Sequence, residues 1–238
     1  MVGIGPGGSF DRTRRAEEAI ARSQVVVGYT RYLELVADLT EGKDVIPSGM
    51  TREVERCQAA LARARQGEVV ALISSGDPGV YGMAGLAIEL ACAEGMTVPI
   101  EIIPGVTSAN AAAARLGAPL MLDYATISLS DLLVPWEKIY ARLEAVAAAD
   151  LVVALYNARS QKRTNQLEEA AAIFRKYRPG TTPVGIATSV STGEERIVRS
   201  DLDHFLKEEI GMRSIVLVGN HSSKYLDGWF ITPRGYRV

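Results

Sequence analysis

Apolar and polar positions switch repeatedly between a strand-like and a helix-like pattern along the first half of this chain. Short apolar runs read as strands: Val2 to Gly5, which has only Met1 before it, then Val25–Val27, Val45–Ile46, Val69–Ile73 and Ile100–Ile103. The run Val69–Ile73 is unbroken, as expected of a strand buried on both faces in a parallel sheet. Thr51 to Gln66 instead carries Val54, Cys57, Leu61 and Ala64 at three- and four-residue steps, a single apolar stripe on a helix. Further helices are predicted over Asp11–Ser23, with its arginines and glutamates on a wet side, over Tyr81–Ala93, and over the small-residue stretch Thr107–Leu116. Repeated strand-then-helix order argues for a mostly parallel sheet covered by helices.

Gly117-Ala-Pro119 then reads as a hinge, since Gly117 can cap a helix that Pro119 cannot continue. Beyond it the pattern predicts a strand containing Ile127 and a helix over Pro135–Ala148, with Trp136, Ile139, Leu143 and Val146 on one face. A buried strand Leu151–Leu155, a helix over Thr164–Tyr177, and strands at Val184–Ala187, Ile197–Arg199 and Ile215–Val218 follow. The expected organisation is two α/β domains, residues 1–117 and 121–238, with a cleft between them. Length and a 47% apolar content allow cores of that size. A net charge of -2 offers nucleic acid no obvious attraction, and no run approaches the roughly 18 apolar residues of a membrane span. Cys57 and Cys92 stand apart, which fits reduced thiols and a cytoplasmic protein. With His204 and His221 the only histidines, no familiar zinc spacing can be assembled, and no metal is expected.

Three loops of small residues follow three of the predicted strands. The most distinctive is Ser74-Ser-Gly-Asp-Pro-Gly-Val-Tyr-Gly82, where Gly76, Gly79, Gly82 and Gly85 recur every third position. Such a loop at the carboxyl end of a parallel strand brings bare backbone close to a ligand, although a plain glycine-rich turn has the same letters. In chain order this glycine loop is the second; Pro104-Gly-Val-Thr-Ser-Ala-Asn110 is the third, where Thr107 or Ser108 caps the next helix, and by itself the loop needs no other role. The first, Gly3-Ile-Gly-Pro-Gly-Gly8, matches a dinucleotide fingerprint by letter. That reading fails on two counts: Val27-Gly28-Tyr29 lacks the ribose-binding carboxylate, and Pro6 removes a donor from the loop. No Gly-Lys-Ser/Thr follows a strand, so a P-loop is weaker still.

Taken in order, Gly5-Pro6-Gly7, Ser75-Gly-Asp-Pro78 and Pro104-Gly-Val-Thr107 resemble the tetrapyrrole methyltransferase family. Gly49-Met50, Glu53-Val-Glu-Arg56-Cys57, Val80-Tyr-Gly-Met-Ala-Gly85, Ser128-Leu-Ser-Asp-Leu-Leu133 with Pro135-Trp136, Tyr156-Asn157-Ala-Arg159-Ser160, Val218-Gly-Asn220 and Ile231-Thr-Pro-Arg-Gly-Tyr236 are similar to its corrin-pathway members over essentially the whole chain. The resemblance implies two α/β/α domains of the tetrapyrrole methylase (class III S-adenosylmethionine-dependent) type, in a homodimer. It implies methyl transfer from S-adenosyl-L-methionine to C-17 of precorrin-3B or its cobalt-bearing equivalent, with ring contraction, in cobalamin biosynthesis. The cofactor would be held by Pro6, Gly76, Asp77, Val80, Tyr81, Thr107, Ser108, Asn157, Thr188, Gly219 and Asn220.

An activated sulfonium and an electron-rich tetrapyrrole carbon need alignment and exclusion of water more than a strong base. Ring contraction also moves protons, for which Asp77, Ser130, Asp131 and His221 are candidates; His221 equally reads as a surface histidine. Arg159, Lys162 and Arg163 suit the carboxylate arms of a tetrapyrrole, or form a solvated basic loop. Methylation at another corrin position, a non-catalytic tetrapyrrole-binding role, and an NAD-dependent enzyme are the rival readings.

Overall fold

The strand Val25–Tyr29 shows how the apolar runs are used. Val25 and Val27 face one side of a sheet and pack with Cys57, Leu72 and Ala87, whereas Val26 faces the other with Ile4, Ile20, Leu33 and Ile73. A strand covered on both faces has no polar alternation, because each valine that points either way is buried. Each such side chain contributes about 1.5–3 kcal/mol on leaving water.

The computed structural model describes residues 1–160 and 163–237. Backbone contacts divide the chain into two units, Met1–Ser108 and Ala109–Val238. The first contains β1 (Val2–Gly3), α1 (Arg14–Arg22), β2 (Val25–Tyr29), α2 (Thr30–Glu34), β3 (Asp44–Ser48), α3 (Glu53–Arg65), β4 (Val70–Ser74) and α4 (Ala84–Ala93). Its four strands are all parallel, in the order β1-β4-β2-β3, so their carboxyl ends share one edge. The strand expected at Ile100–Ile103 is reduced to one bridge between Ile103 and Val2. Its neighbour β1 is two residues long and offers no longer ladder.

The second unit comprises α5 (Ser108–Leu116), β5 (Gly117–Ala118), β6 (Tyr124–Ser128), α6 (Trp136–Ala148), β7 (Val152–Tyr156), α7 (Asn165–Tyr177), β8 (Pro183–Thr188), β9 (Arg196–Asp201), β10 (Ser214–Val218), β11 (Lys224–Leu226) and β12 (Trp229–Ile231). The division falls before the hinge expected at residues 117–121. Fully buried Leu116 lies against Gly185 of β8, Arg115 pairs with Glu195, and β5 pairs with β12, which tie α5 to this unit.

The five-stranded sheet runs β6-β7-β10-β8-β9. Only β6 and β7 pair in parallel; β10 is antiparallel to both its neighbours and β9 to β8. The expectation of a mostly parallel sheet therefore holds for the first unit and fails for the second. The short connection from Thr188 to Arg196 makes β8–β9 a hairpin, which has no room for a crossover. Leu143, Leu155, Leu167 and Phe174, all fully buried, anchor the core beneath α6 and α7. Among the described residues no helix is long and apolar enough to cross a membrane.

Candidate functional site

In the first unit the three small-residue loops meet at the carboxyl edge of the sheet. Gly5 and Gly76 exchange backbone hydrogen bonds, Gly76 N to Gly5 O at 2.7 Å and Gly5 N to Gly76 O at 3.2 Å. The third loop is closer still: a Cβ on Gly105 would stand 2.1 Å from the Gly76 carbonyl oxygen and 2.8 Å from the Gly3 carbonyl. Only glycine fits there. Gly76 differs, because its φ is +63° while the nearest atom to an added Cβ is 3.7 Å away. It is a buried left-handed turn position lying against Val106, Thr107 and Ser108 of the neighbouring loop, a backbone conformation that glycine adopts without strain. Asp77 bolts the assembly together. One carboxylate oxygen accepts from Gly79 N at 2.8 Å and the other from Gly105 N at 3.1 Å, joining the second loop to the third.

Beside these loops, Arg56 is buried without a carboxylate. Its Nε donates to Ser48 Oγ, its Nη2 donates to Gly49 O at 2.8 Å, and the guanidinium lies 5.9 Å from the Tyr29 ring centroid. Tyr29 meets Tyr32 edge-on, and burial raises the Tyr32 hydroxyl above its ordinary pKa. A cavity of about 660 Å³ in this unit lies elsewhere, at the amino ends of β1 and β4, lined by Met1, Leu61, Val69 and Ile103.

In the second unit β6, β7 and β8 all end on one edge. Asn157 follows β7 with φ +51°, and its side-chain amide donates to Ser128 Oγ at 2.9 Å. Tyr156 Oη accepts from Ala109 N at the start of α5, at 3.0 Å. Thr188 shares a 2.7 Å hydroxyl contact with Ser214, two strands across from Asn157. Ser189 next to it is held at φ +49°, and its buried hydroxyl has no partner among the described residues. Left-handed non-glycine residues (Tyr81 in the first unit; Asn157, Ser189 and Ser191 in the second) sit in loops following strand ends of these edges, where backbone strain commonly accompanies function.

Residues 1–206 match the family model described as tetrapyrrole (corrin/porphyrin) methylases. The chain belongs to this family. It is 48% identical to the cobalt-factor III methyltransferase of Priestia megaterium, matching all of this chain but only 45% of that protein's length. It is 46% identical to the probable cobalt-factor III C(17)-methyltransferase of Salmonella typhimurium, over 100% of this chain and 99% of that one. Among solved structures, the methyltransferase CobJ superposes with a TM-score of 0.90 at 35% identity, covering 98% of each chain.

Against this family frame the predicted residues sort by position. Pro6, Gly76, Val80, Tyr81, Thr107 and Ser108 all lie on the three loops of the first unit, with Tyr81 exposed. Asn157 and Thr188 share the carboxyl edge of the second unit with Ser130 and Asp131, which follow β6. Asp131 accepts a 2.9 Å hydrogen bond from Gln166 Nε2. Gly219, Asn220 and His221 do not join them. Since β10 runs antiparallel to β7, pairing Val218 with Val153, its carboxyl end reaches the opposite edge of the sheet. There Asn220 Nδ2 donates to Asp150 O, and His221 meets the Asp150 carboxylate at 2.9 Å. The structure thus does not bring these three residues to the edge that carries Asn157 and Thr188.

Arg163 is turned toward the backbone. Its buried guanidinium donates through Nε and Nη2 to the Asn157 carbonyl, at 3.2 and 2.7 Å, and burial lowers its pKa from the usual arginine value. It braces the Asn157 turn. Arg159 pairs with Glu168 at 3.1 Å, and Lys162 lies outside the described residues. The contact of Tyr156 with α5 and the turn at Ser189 are not legible in the sequence. Tyr156 looks like an ordinary strand-terminal tyrosine, and the left-handed backbone of Ser189 leaves no trace in a serine's letter.

Proposed function

We propose that this chain methylates C-17 of cobalt-factor III, with contraction of the ring, using S-adenosylmethionine, in cobalamin biosynthesis. The observation that carries the reading is the match from end to end with a relative named for that reaction, at 46% identity over 99% of its length. The cobalt belongs to the substrate. A metal-free substrate, precorrin-3B, is the second reading, which the family resemblance of the sequence implies equally.

S-adenosylmethionine, when bound, supplies an already activated methyl group. The first unit suits it: three small-residue loops are drawn together at the carboxyl edge of the parallel sheet by the close backbone packing that Gly5, Gly76 and Gly105 allow. Pro6, Gly76, Val80, Thr107 and Ser108 would hold the adenosine and methionine ends. Asp77 is a positioning residue, because both its oxygens are engaged by Gly79 and Gly105. On the second unit Asn157, Thr188 and the unpartnered Ser189 hydroxyl offer polar groups at a strand edge. Both histidines follow the carboxyl ends of β9 and β10, on the other edge of that sheet, so no imidazole is built into the carboxyl edge. The residues therefore work by alignment and exclusion of water rather than by a strong base. A homodimer, as the family resemblance implies, belongs to this proposal.

Turnover with the cobalt-bearing and the metal-free substrates, followed by mass spectrometry, tests it. A gain of one methyl on cobalt-factor III, located at C-17, is expected. Methylation elsewhere, methylation of the metal-free ring alone, or tetrapyrrole binding without transfer each overturns it.

A further inference from the structure

Four phenylalanines occur in the chain, and Phe174, Phe205 and Phe230 are all fully buried. Phe10 is fully exposed, at 102% of its reference area. Nothing about its turn explains this by looseness. Residues Ser9–Asp11 form one tight turn, closed by hydrogen bonds from Asp11 N to Gly8 O and from Arg12 N to Ser9 O, both 3.2 Å. The Asp11 carbonyl oxygen packs where Gly5 would carry a Cβ, 2.6 Å from that position, so the turn is pressed onto the first glycine loop. Arg12, its side chain only 3% exposed, grips Asp38 with two hydrogen bonds of 3.1 and 2.7 Å. Thr13 caps α1 through Ala16 N and donates to Pro104 O of the third loop at 3.4 Å. The turn is thus tied to two of the three loops, and Phe10 is held outward beside them.

We propose that Phe10 is a stacking platform for the flat face of the tetrapyrrole, a specificity-determining residue beside the methyl-donor loops. This inference rests on the function proposed above. An extended conjugated macrocycle presents a broad π-face, and an aromatic ring held in place recognises such a face through offset stacking without needing a hydrogen bond. The carboxylate arms are then left to other groups, consistent with Arg163 being spent on Asn157. Because the turn's backbone is anchored before the ligand arrives, only the ring's own rotamer freedom remains to be lost on stacking.

The test compares Phe10→Ala and Phe10→Trp with the unaltered protein, in turnover with cobalt-factor III and in calorimetry with S-adenosylhomocysteine. Expected are a KM for the tetrapyrrole about tenfold higher in Phe10→Ala, unchanged S-adenosylhomocysteine affinity and melting temperature, and recovery in Phe10→Trp. An unchanged tetrapyrrole KM overturns the inference. So does equal loss of both ligands, which would make Phe10 a brace for the donor loops. Sedimentation of both proteins separates a further outcome: if Phe10→Ala dissociates an assembly while KM is unchanged, a second copy covers the ring and the inference falls. An unaltered protein that binds S-adenosylhomocysteine yet turns over no tetrapyrrole overturns the proposed function itself, and this inference with it.

Discussion

Gly105 is the sharpest test of how the donor loops are built. In Gly105→Ala the new methyl carbon would stand 2.1 Å from the Gly76 carbonyl oxygen, where an ordinary contact begins at 3.4 Å. The third loop must therefore retreat by about 1.3 Å, against backbone of Gly3 that is already 2.8 Å away. Neither neighbour is a flexible side chain that can swing aside. Overpacking of this kind costs about 1–3 kcal/mol. The retreat also lengthens the 3.1 Å hydrogen bond from Gly105 N to Asp77, so the cost adds to a weakened charge-assisted contact. For a chain of this length that is a fall of about 3–10 °C in melting temperature. Affinity for S-adenosylhomocysteine should drop more than about tenfold, since the loops move relative to one another by a third of a bond-contact distance. Gly85→Ala is the control: nothing lies within 4 Å of its Cβ, and it sits in α4, where alanine gains about 0.5–1 kcal/mol over glycine. Thermal melts and calorimetry on both variants decide the matter. A Gly105→Ala protein with unchanged melting temperature and affinity would refute the packing argument.

Three further outcomes follow from the same geometry. Asp77→Asn leaves an amide against one of two backbone N–H donors, so S-adenosylhomocysteine affinity should fall about tenfold with a loss of about 1 kcal/mol of stability; unchanged affinity by calorimetry would leave Asp77 dispensable. His221→Ala should keep kcat and KM within about twofold, because His221 lies on the opposite sheet edge from Asn157; a large loss of kcat would contradict that placement. Hydrogen bonds from Arg12 hold the Asp38 carboxyl below its ordinary 3.8. A depressed carboxylate contributes stability above its unfolded pKa and loses it as pH falls through the folded one, so Asp38→Asn should flatten the decline in melting temperature below about pH 4. A slope identical to that of the unaltered protein would remove this pair from the acid response.

The donor loops were legible because glycine is required there for reasons that are local. Gly5 and Gly76 adopt positive φ and Gly105 tolerates no Cβ, so the sequence carries the geometry in its letters. What Asp77 does was not legible, since one of its two partners, Gly105, lies on a different loop and meets it only through the tertiary packing of β1 and β4. Strand direction was equally hidden. Ile215–Val218 is a continuous apolar run that reads the same in a parallel or an antiparallel sheet, so nothing in its letters tells that the polar residues after it lie on the edge opposite Asn157.

The opposite edge has its own requirement for polar residues. Arg178 is buried over the Phe174 ring and donates to Gly219 O at 2.5 Å and to Leu151 O at 2.6 Å, with Asp150 3.8 Å away. Burial brings its pKa down to about 10, which still leaves it charged at neutral pH, so it clasps the start of β7 to the end of β10 throughout the physiological range. Asp150 completes the clasp by meeting both the backbone N–H and the ring of His221, while its carbonyl accepts from Asn220. A buried cation is costly unless its donors are answered; the Gly219 and Leu151 carbonyls answer the two Nη groups, while the Nε has no hydrogen-bond partner among the described residues and only faces the Asp150 carboxylate at 3.8 Å. The Val218-Gly-Asn220 motif is thus engaged in this clasp, on the edge opposite the one where β6, β7 and β8 end.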